Sequence, residues 1–249
     1  MYPSSVPGPT ARRMIVYLPA DYYQSQERYP VIYLLHGARG YETAWIRFGE
    51  VYESTDSLTR EGKAAPCIVV MPNVNQYNDD KDYEGGRFKD AWESIWEVDG
   101  VVESAFVHDV VQLVDSLYRT IPDKAHRALA GLSVGGYQSI WISANHPDTF
   151  GYVAAFSPYM WCLGKSNPYK KQFYSNLYPK LAVQFASSVE GYYLYAGEQD
   201  IMLPSTEDFH NKLNKRGYLH HFFLFPGKHD WPDGWIEEYQ DMLQRVFKN

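Results

Sequence analysis

Gly131-Leu132-Ser133-Val134-Gly135 sets a hydroxyl between two glycines in the G-x-S-x-G spacing. The apolar run Arg127–Gly131 precedes Ser133 and a helical pattern over Val134–Asn145 follows it, so the serine falls at an abrupt strand-to-helix turn. Such a turn holds its central residue in a strained backbone conformation. Glycines at 131 and 135 remove the side chains that would collide as strand and helix pass. The pattern predicts a nucleophile whose oxygen stands at the sheet edge above the N-terminus of the next helix. A bare Gly-rich βα turn is the bland alternative, and the five-residue spacing alone arises by chance. The strand and helix on either side favour the nucleophile.

A serine hydroxyl is a poor nucleophile at neutral pH and needs a base. Of the eight histidines, His229 has the fitting place: it follows the strand pattern His221–Phe225 through Pro226-Gly227-Lys228 and precedes the closing helix. His36 also ends a strand but lies upstream of Ser133, while His108, His146 and His210 fall in or beside helices. The imidazole needs a carboxylate to fix its tautomer and stabilise the imidazolium. Asp200 closes the turn Gly197-Glu198-Gln199-Asp200 and completes a Ser…Asp…His chain order. Glu198 is the rival acid, and Asp230 adjoins the histidine too closely to reach the same ring. Charge developing on a substrate oxygen calls for donors aimed at it. The Val134 N–H, at a helix N-terminus, is one. The Ala38 N–H, in His36-Gly37-Ala38-Arg39-Gly40, is the expected second, because small residues let the main chain come close. His36 reads as a brace for that loop.

Side chains this far apart in sequence need a scaffold that returns them to one edge. Short apolar runs at Val31–Leu35, Cys67–Met71, Arg127–Gly131, Gly151–Phe156, Tyr192–Ala196 and His221–Phe225 alternate with helical patterns, the mark of βαβ units around a mostly parallel sheet with helices on both faces. Their continuous apolar character predicts strands buried on both sides. Val102, Phe106, Val110, Leu113, Val114 and Leu117 form one helical stripe. Ser205–Arg216 and Trp235–Phe247 read as further helices. Two connections, Asn73–Gly100 and Ser157–Gly191, are too long for ordinary turns, although a helix fits near Tyr178–Ser187. Both leave C-terminal strand ends, where open α/β sheets bind ligands, and they are the expected walls of a substrate site. Trp92 and Trp96 in the first and Tyr159 and Trp161 in the second are candidate substrate contacts.

Composition narrows the partners. Apolar residues are 45% of the 249, enough for a large core, and a single domain over residues 1–249 is the simplest account. Lys and Arg number 23 against 30 Asp and Glu, a net charge of −7, which speaks against a nucleic-acid or anionic-membrane surface. No apolar run approaches the roughly 20 residues of a membrane span. Tyrosine, at 22, dominates the aromatic content, which suits core filling and, more sharply, a groove for sugars or aryl groups. Cys67 and Cys162 lack any metal-ligand spacing; each is expected as a buried free thiol, with a bridge between them left open. Residues 1–11 read as an N-terminal turn with no basic and apolar leader pattern, followed by a β-prone run at Arg13–Leu18. We expect upstream sequence, a signal and a first strand, which leans the chain toward a secreted or periplasmic setting and otherwise a cytoplasmic one.

The combination of Tyr29–Gly37, Tyr118-Arg119-Thr120, Arg127–Gly136, Gly197–Asp200 and Gly227-Lys228-His229-Asp230-Trp231 resembles the esterase D-like branch of the α/β-hydrolases. That branch includes feruloyl and acetyl xylan esterases, S-formylglutathione hydrolases and mycolyltransferases. The resemblance covers nearly the whole chain and implies an α/β-hydrolase fold. It puts Ser133, Asp200 and His229 in the triad and Ala38 and Val134 in the oxyanion hole. Trp45 matches a tryptophan often found after the His-Gly loop, and Trp231 an aromatic that often follows the histidine. Val134 stands where Met is commoner, and Gln112 lies where many relatives carry Pro; Asn73–Gly100 has no match. The expected activity is a serine carboxylesterase acting on a feruloyl, hydroxycinnamoyl or acetyl ester of plant polysaccharide. S-formylglutathione hydrolysis and mycolyl-type acyl transfer are the alternatives within that chemistry, and a non-catalytic carbohydrate-binding relative is the alternative outside it. No metal or organic cofactor is expected, because a serine mechanism supplies its own nucleophile. A small-molecule or polysaccharide-linked ester is the expected partner.

Overall fold

The computed structural model describes residues 1–7, 10–38, 40–75, 100–160, 176–231 and 234–248. The chain opens with two short paired strands, β1 (Tyr2–Pro3) and β2 (Ala11–Arg12), joined antiparallel with Tyr2 opposite Arg12. Residues expected as a plain turn thus hold a small ribbon. The main sheet follows: β3 (Met14–Tyr17), β4 (Val31–Leu35), β5 (Ile68–Pro72), β6 (Arg127–Leu132), β7 (Tyr152–Phe156), β8 (Gly191–Gly197) and β9 (His221–Phe225). Its spatial order is β3-β5-β4-β6-β7-β8-β9, and only β3 runs antiparallel.

Between the strands lie α1 (Ala44–Phe48), α2 (Val51–Arg60), α3 (Val101–Phe106), α4 (Gln112–Leu117), α5 (Val134–Asn145), α6 (Leu177–Ala186), α7 (Leu203–Asn214) and α8 (Trp235–Leu243). Every residue of β4 to β8 is buried, and alternate side chains face opposite ways. Val31, Tyr33 and Leu35 pack with α3 to α7; Ile32 and Leu34 pack with α1, α2 and α8. Two cores on one sheet make the α/β-hydrolase layering.

Further features differ from the sequence reading. The strand β9 was expected to be buried on both faces, yet His221 and Leu224 are exposed, because β9 is the sheet's last strand. The stripe from Val102 does not reach Leu117, which is 60% exposed. A π-helical turn over Val107–Val111 joins α3 to α4 and buries Val110 and Val111 together, so the apolar phase advances before Leu117. Helix α2 carries its buried face as Val51, Ser54, Thr55 and Leu58, and the two hydroxyl residues hide an apolar period. The remaining boundaries fall within about two residues of the patterns, α8 excepted, which ends at Leu243 rather than Phe247.

Cys67 is a buried free thiol, with burial pushing its pKa up to about 12. Trp92, Trp96, Trp161 and Cys162, and with them most of the first long connection and part of the second, lie outside the described residues. Among the described residues no helix is long and apolar enough to cross a membrane.

Candidate active site

Strand register gathers the chemistry. Leu35 lies opposite Gly131, Leu132 opposite Phe156, Phe156 opposite Tyr195, and Gly197 opposite Phe225. The segments that begin at His36, Ser133, Ser157, Glu198 and Pro226 therefore leave one edge of the sheet side by side.

Ser133 takes φ 55° and ψ −112°, a strained conformation for a residue with a side chain. Three hydrogen bonds over-determine it: its N–H donates to Phe156 O (2.8 Å), and its carbonyl accepts from Tyr137 N (3.1 Å) and Tyr159 N (2.9 Å). The glycines explain how the turn closes. A β-carbon on Gly131 would stand 2.4 Å from the Gly135 carbonyl carbon, and one on Gly135 would stand 2.4 Å from His36 O. The first turn of α5 is thus pressed between the end of β6 and the loop after β4. A β-carbon on Gly37 would lie 3.5 Å from Ser133 Cβ, so that loop runs directly past the serine.

Ser133 Oγ lies 3.0 Å from His229 Nε2, and His229 Nδ1 lies 2.9 and 3.0 Å from the two Asp200 oxygens. With Nδ1–H donating to the carboxylate, Nε2 is left as the acceptor for the serine proton. The side chain of Asp200 is fully buried. Burial by itself would raise its carboxyl, but hydrogen bonds from His229, Ser157 and the Met202 N–H hold it below the ordinary carboxylate range. The Met202 bond is 2.6 Å. Glu198 is exposed, and the Asp230 side chain accepts from Trp231 N–H (2.8 Å), so neither competes for the imidazole.

Ser157 is a contributor that the sequence did not announce. It is fully buried at the end of β7, takes φ 46°, and accepts from Trp235 Nε1 (3.3 Å) while bonding Asp200. Its only sequence signal is its place one residue past a strand that pairs with β6. Behind the histidine, Trp235 meets the His229 ring edge-on at 5.1 Å, Trp231 meets Trp235 at 4.9 Å, and Trp45 meets Trp231 at 5.1 Å. Gly49 leaves room for this stack, since a β-carbon there would stand 3.1 Å from Trp231 Cζ3.

Two expected substrate contacts are corrected. Trp45 is 1% exposed and its Nε1 donates to Leu35 O (3.0 Å), while the Tyr159 ring is buried in the core. Both build the floor of the site and offer no face to a ligand. Trp231 is half-buried beside Phe48, which is 51% exposed. Ala38 is exposed, and Val134 begins α5 next to Ser133. His36 is 3% exposed, and burial drives its pKa down to about 4, so the ring is neutral at pH 7.

Comparison with known protein families matches residues 6–246 to the family described as "Putative esterase". The chain belongs to that family. An endo-1,4-beta-xylanase/feruloyl esterase of Xylanibacter ruminicola is 38% identical over 146 residues, which is 57% of this chain. The chain spans only 19% of that relative's length. Among solved structures, a ferulic acid esterase is 25% identical with a TM-score of 0.75, over 94% of this chain and 90% of the other. A ferulic acid esterase from Anaeromyces mucronatus, solved with ferulic acid, shares the fold at 22% identity and TM-score 0.75, over 99% and 88% of the two chains.

Proposed function

We propose that the chain is a serine esterase in which Ser133, His229 and Asp200 act as nucleophile, base and orienting acid, and that its substrates are hydroxycinnamoyl, above all feruloyl, or acetyl esters on plant polysaccharide. The observation that carries the mechanism is the 3.0 Å contact of Ser133 Oγ with His229 Nε2, the far ring nitrogen being bonded to Asp200. Ser133 Oγ attacks the ester carbonyl carbon while Nε2 takes the hydroxyl proton. The resulting oxyanion accepts from the Val134 and Ala38 N–H groups. Collapse of the tetrahedral species breaks the bond to the alkoxy oxygen, and His229 returns its proton to the departing alcohol. Water then attacks the acyl-enzyme with His229 again as base, releasing the acid and restoring Ser133.

The substrate class is supported by the two relatives named for feruloyl or ferulic acid ester cleavage at 38% and 25% identity. A hydrolysis panel of methyl ferulate, acetylated xylan, S-formylglutathione and 4-nitrophenyl acetate tests it. Methyl ferulate is expected to turn over; acetyl esters cleaved while methyl ferulate is left intact would overturn the feruloyl assignment. Ser133→Ala is expected to lower turnover on the order of 10⁴-fold or more with the fold kept. Covalent labelling by a fluorophosphonate is expected for the parent chain and not for the variant, an outcome a non-catalytic binding protein does not give.

A further inference from the structure

Ala38 can serve a developing oxyanion only if its N–H faces the serine, and that direction belongs to the Gly37–Ala38 peptide. The peptide is planar, so the Gly37 carbonyl and the Ala38 N–H point in opposite directions. Fixing one fixes the other. Gly37 O accepts from His36 Nδ1 (2.8 Å) and from Gly40 N (3.0 Å), which fixes its direction within the loop. Each donor is anchored from outside the loop. His36 is held because its Nε2 accepts the Val74 N–H (3.1 Å), and Gly40 is held because its carbonyl accepts Asn75 Nδ2 (2.6 Å). Both anchors, Val74 and Asn75, come just after β5.

That segment is itself tied down. Asn75 N–H donates to Asn73 Oδ1 (3.0 Å), and Asn73 Nδ2 donates to the buried Glu42 (3.2 Å). The N-terminal ribbon adds Tyr2 Oη–H to Asn73 O (2.7 Å) and the Arg12 guanidinium to Asn75 O. A strand exit, a ribbon and the loop past Ser133 thus form one hydrogen-bonded frame around a single peptide plane. All of these bonds except Gly40 N–H to Gly37 O use a side chain, and the Asn75 amide is the one that reaches Gly40.

Resting on the serine-esterase reading, we propose that Asn75 is a positioning residue for the oxyanion hole: by holding Gly40 it keeps the Gly37–Ala38 peptide with its N–H toward Ser133. In this role the group acts through the peptide, so its loss weakens transition-state binding and leaves ground-state binding alone.

Asn75 is half-buried, and its backbone bonds survive side-chain replacement, so both Asn75→Ala and the volume-keeping Asn75→Leu suit the test. With 4-nitrophenyl acetate, each is expected to lower kcat about tenfold, a fraction of the 10²–10³ that losing a whole oxyanion donor costs. KM is expected to stay within about twofold, because substrate in the ground state carries no oxyanion. An aryl trifluoromethyl ketone, whose serine hemiketal bears the oxyanion, is expected to bind about tenfold more weakly to both variants, in step with kcat/KM. Wild-type kcat and ketone affinity in either folded variant would overturn the role, as would a loss confined to KM. Ser133→Ala is run alongside. If it is inactive while the Asn75 variants match the parent, the positioning role alone fails; if it keeps its activity, the serine mechanism fails and this role with it.

Discussion

At the residue scale, the carboxyl behind His229 sets which ring nitrogen carries the proton. Asp200 takes donors from His229, Ser157 and the Met202 N–H, all inside a buried pocket. An asparagine of the same shape can turn its NH₂ toward Nδ1, which forces the proton onto Nε2 and removes the acceptor that Ser133 needs. Asp200→Asn is therefore expected to lower kcat on the order of 10³–10⁴-fold, with KM and melting temperature little changed. Steady-state kinetics beside a thermal melt checks this, and a loss of less than about tenfold would assign the orienting role to another group. The three side chains were legible because the chemistry demands a nucleophile, a base and an acid after successive strands, and few residues met each demand. Ser157 and Asn75 were not legible: a serine after β7 and an asparagine after β5 gain meaning only once strand order brings β7 beside β6 and the β5 exit beside the loop after β4.

At the scale of elements, the elbow depends on how closely β6, α5 and the loop after β4 approach. Helix α5 is buried nearly all round, and its first turn meets backbone: a methyl on Gly135 would lie 2.4 Å from His36 O and 2.9 Å from Leu35 O. Backbone cannot swing aside as a side-chain tip does, so Gly135→Ala must push α5 away from β4. We expect a loss of about 1–3 kcal/mol or more in urea unfolding, with catalytic loss beyond that from displacement of Val134 and Ala38. An alanine variant with unchanged unfolding midpoint would contradict the close packing. The G-x-S-x-G spacing gave the steric reason for this turn in advance. Helix α2 and the π-helical turn were hidden for a related reason: periodicity detects a buried face only when that face is apolar and its phase stays constant.

At the scale of the whole molecule, two buried ionisable groups pull stability in opposite directions with pH. His36 has a folded pKa near 4 against 6.5 when exposed, so between those values the unfolded chain binds more protons. Stability from this group is complete above pH 6.5 and is lost as pH falls toward 4, on the order of 3 kcal/mol in all. Glu238 is fully buried in α8, with no hydrogen-bond partner for either oxygen among the described residues. Burial, and then the charges of Asp200 and Glu237, hold its carboxyl well above the ordinary range. Its contribution is complete below about pH 4.5 and is lost as pH rises, because the unfolded chain then releases a proton that the folded chain keeps. Above pH 4.5 the two contributions therefore oppose each other, His36 adding stability as pH rises and Glu238 removing it. In Glu238→Met the opposing contribution disappears, leaving the His36 rise between pH 4 and 6.5 and a melting temperature above the parent's by a margin that widens as pH rises above about 4.5. A margin constant with pH would mean that Glu238 ionises normally.

The amino-acid order by itself determined the fold class, the strands of the parallel sheet and the three residues of the candidate triad. Each of those is written locally, in apolar period, turn chemistry and the type of side chain at a strand end. The tertiary structure alone decided that Trp45 and Tyr159 are buried, that β9 lies open to solvent, that Ser157 bonds Asp200 and that Asn75 bonds Gly40. Those facts depend on which strand lies beside which and on what covers each face. Long-range packing sets both, and no window of neighbouring residues contains it.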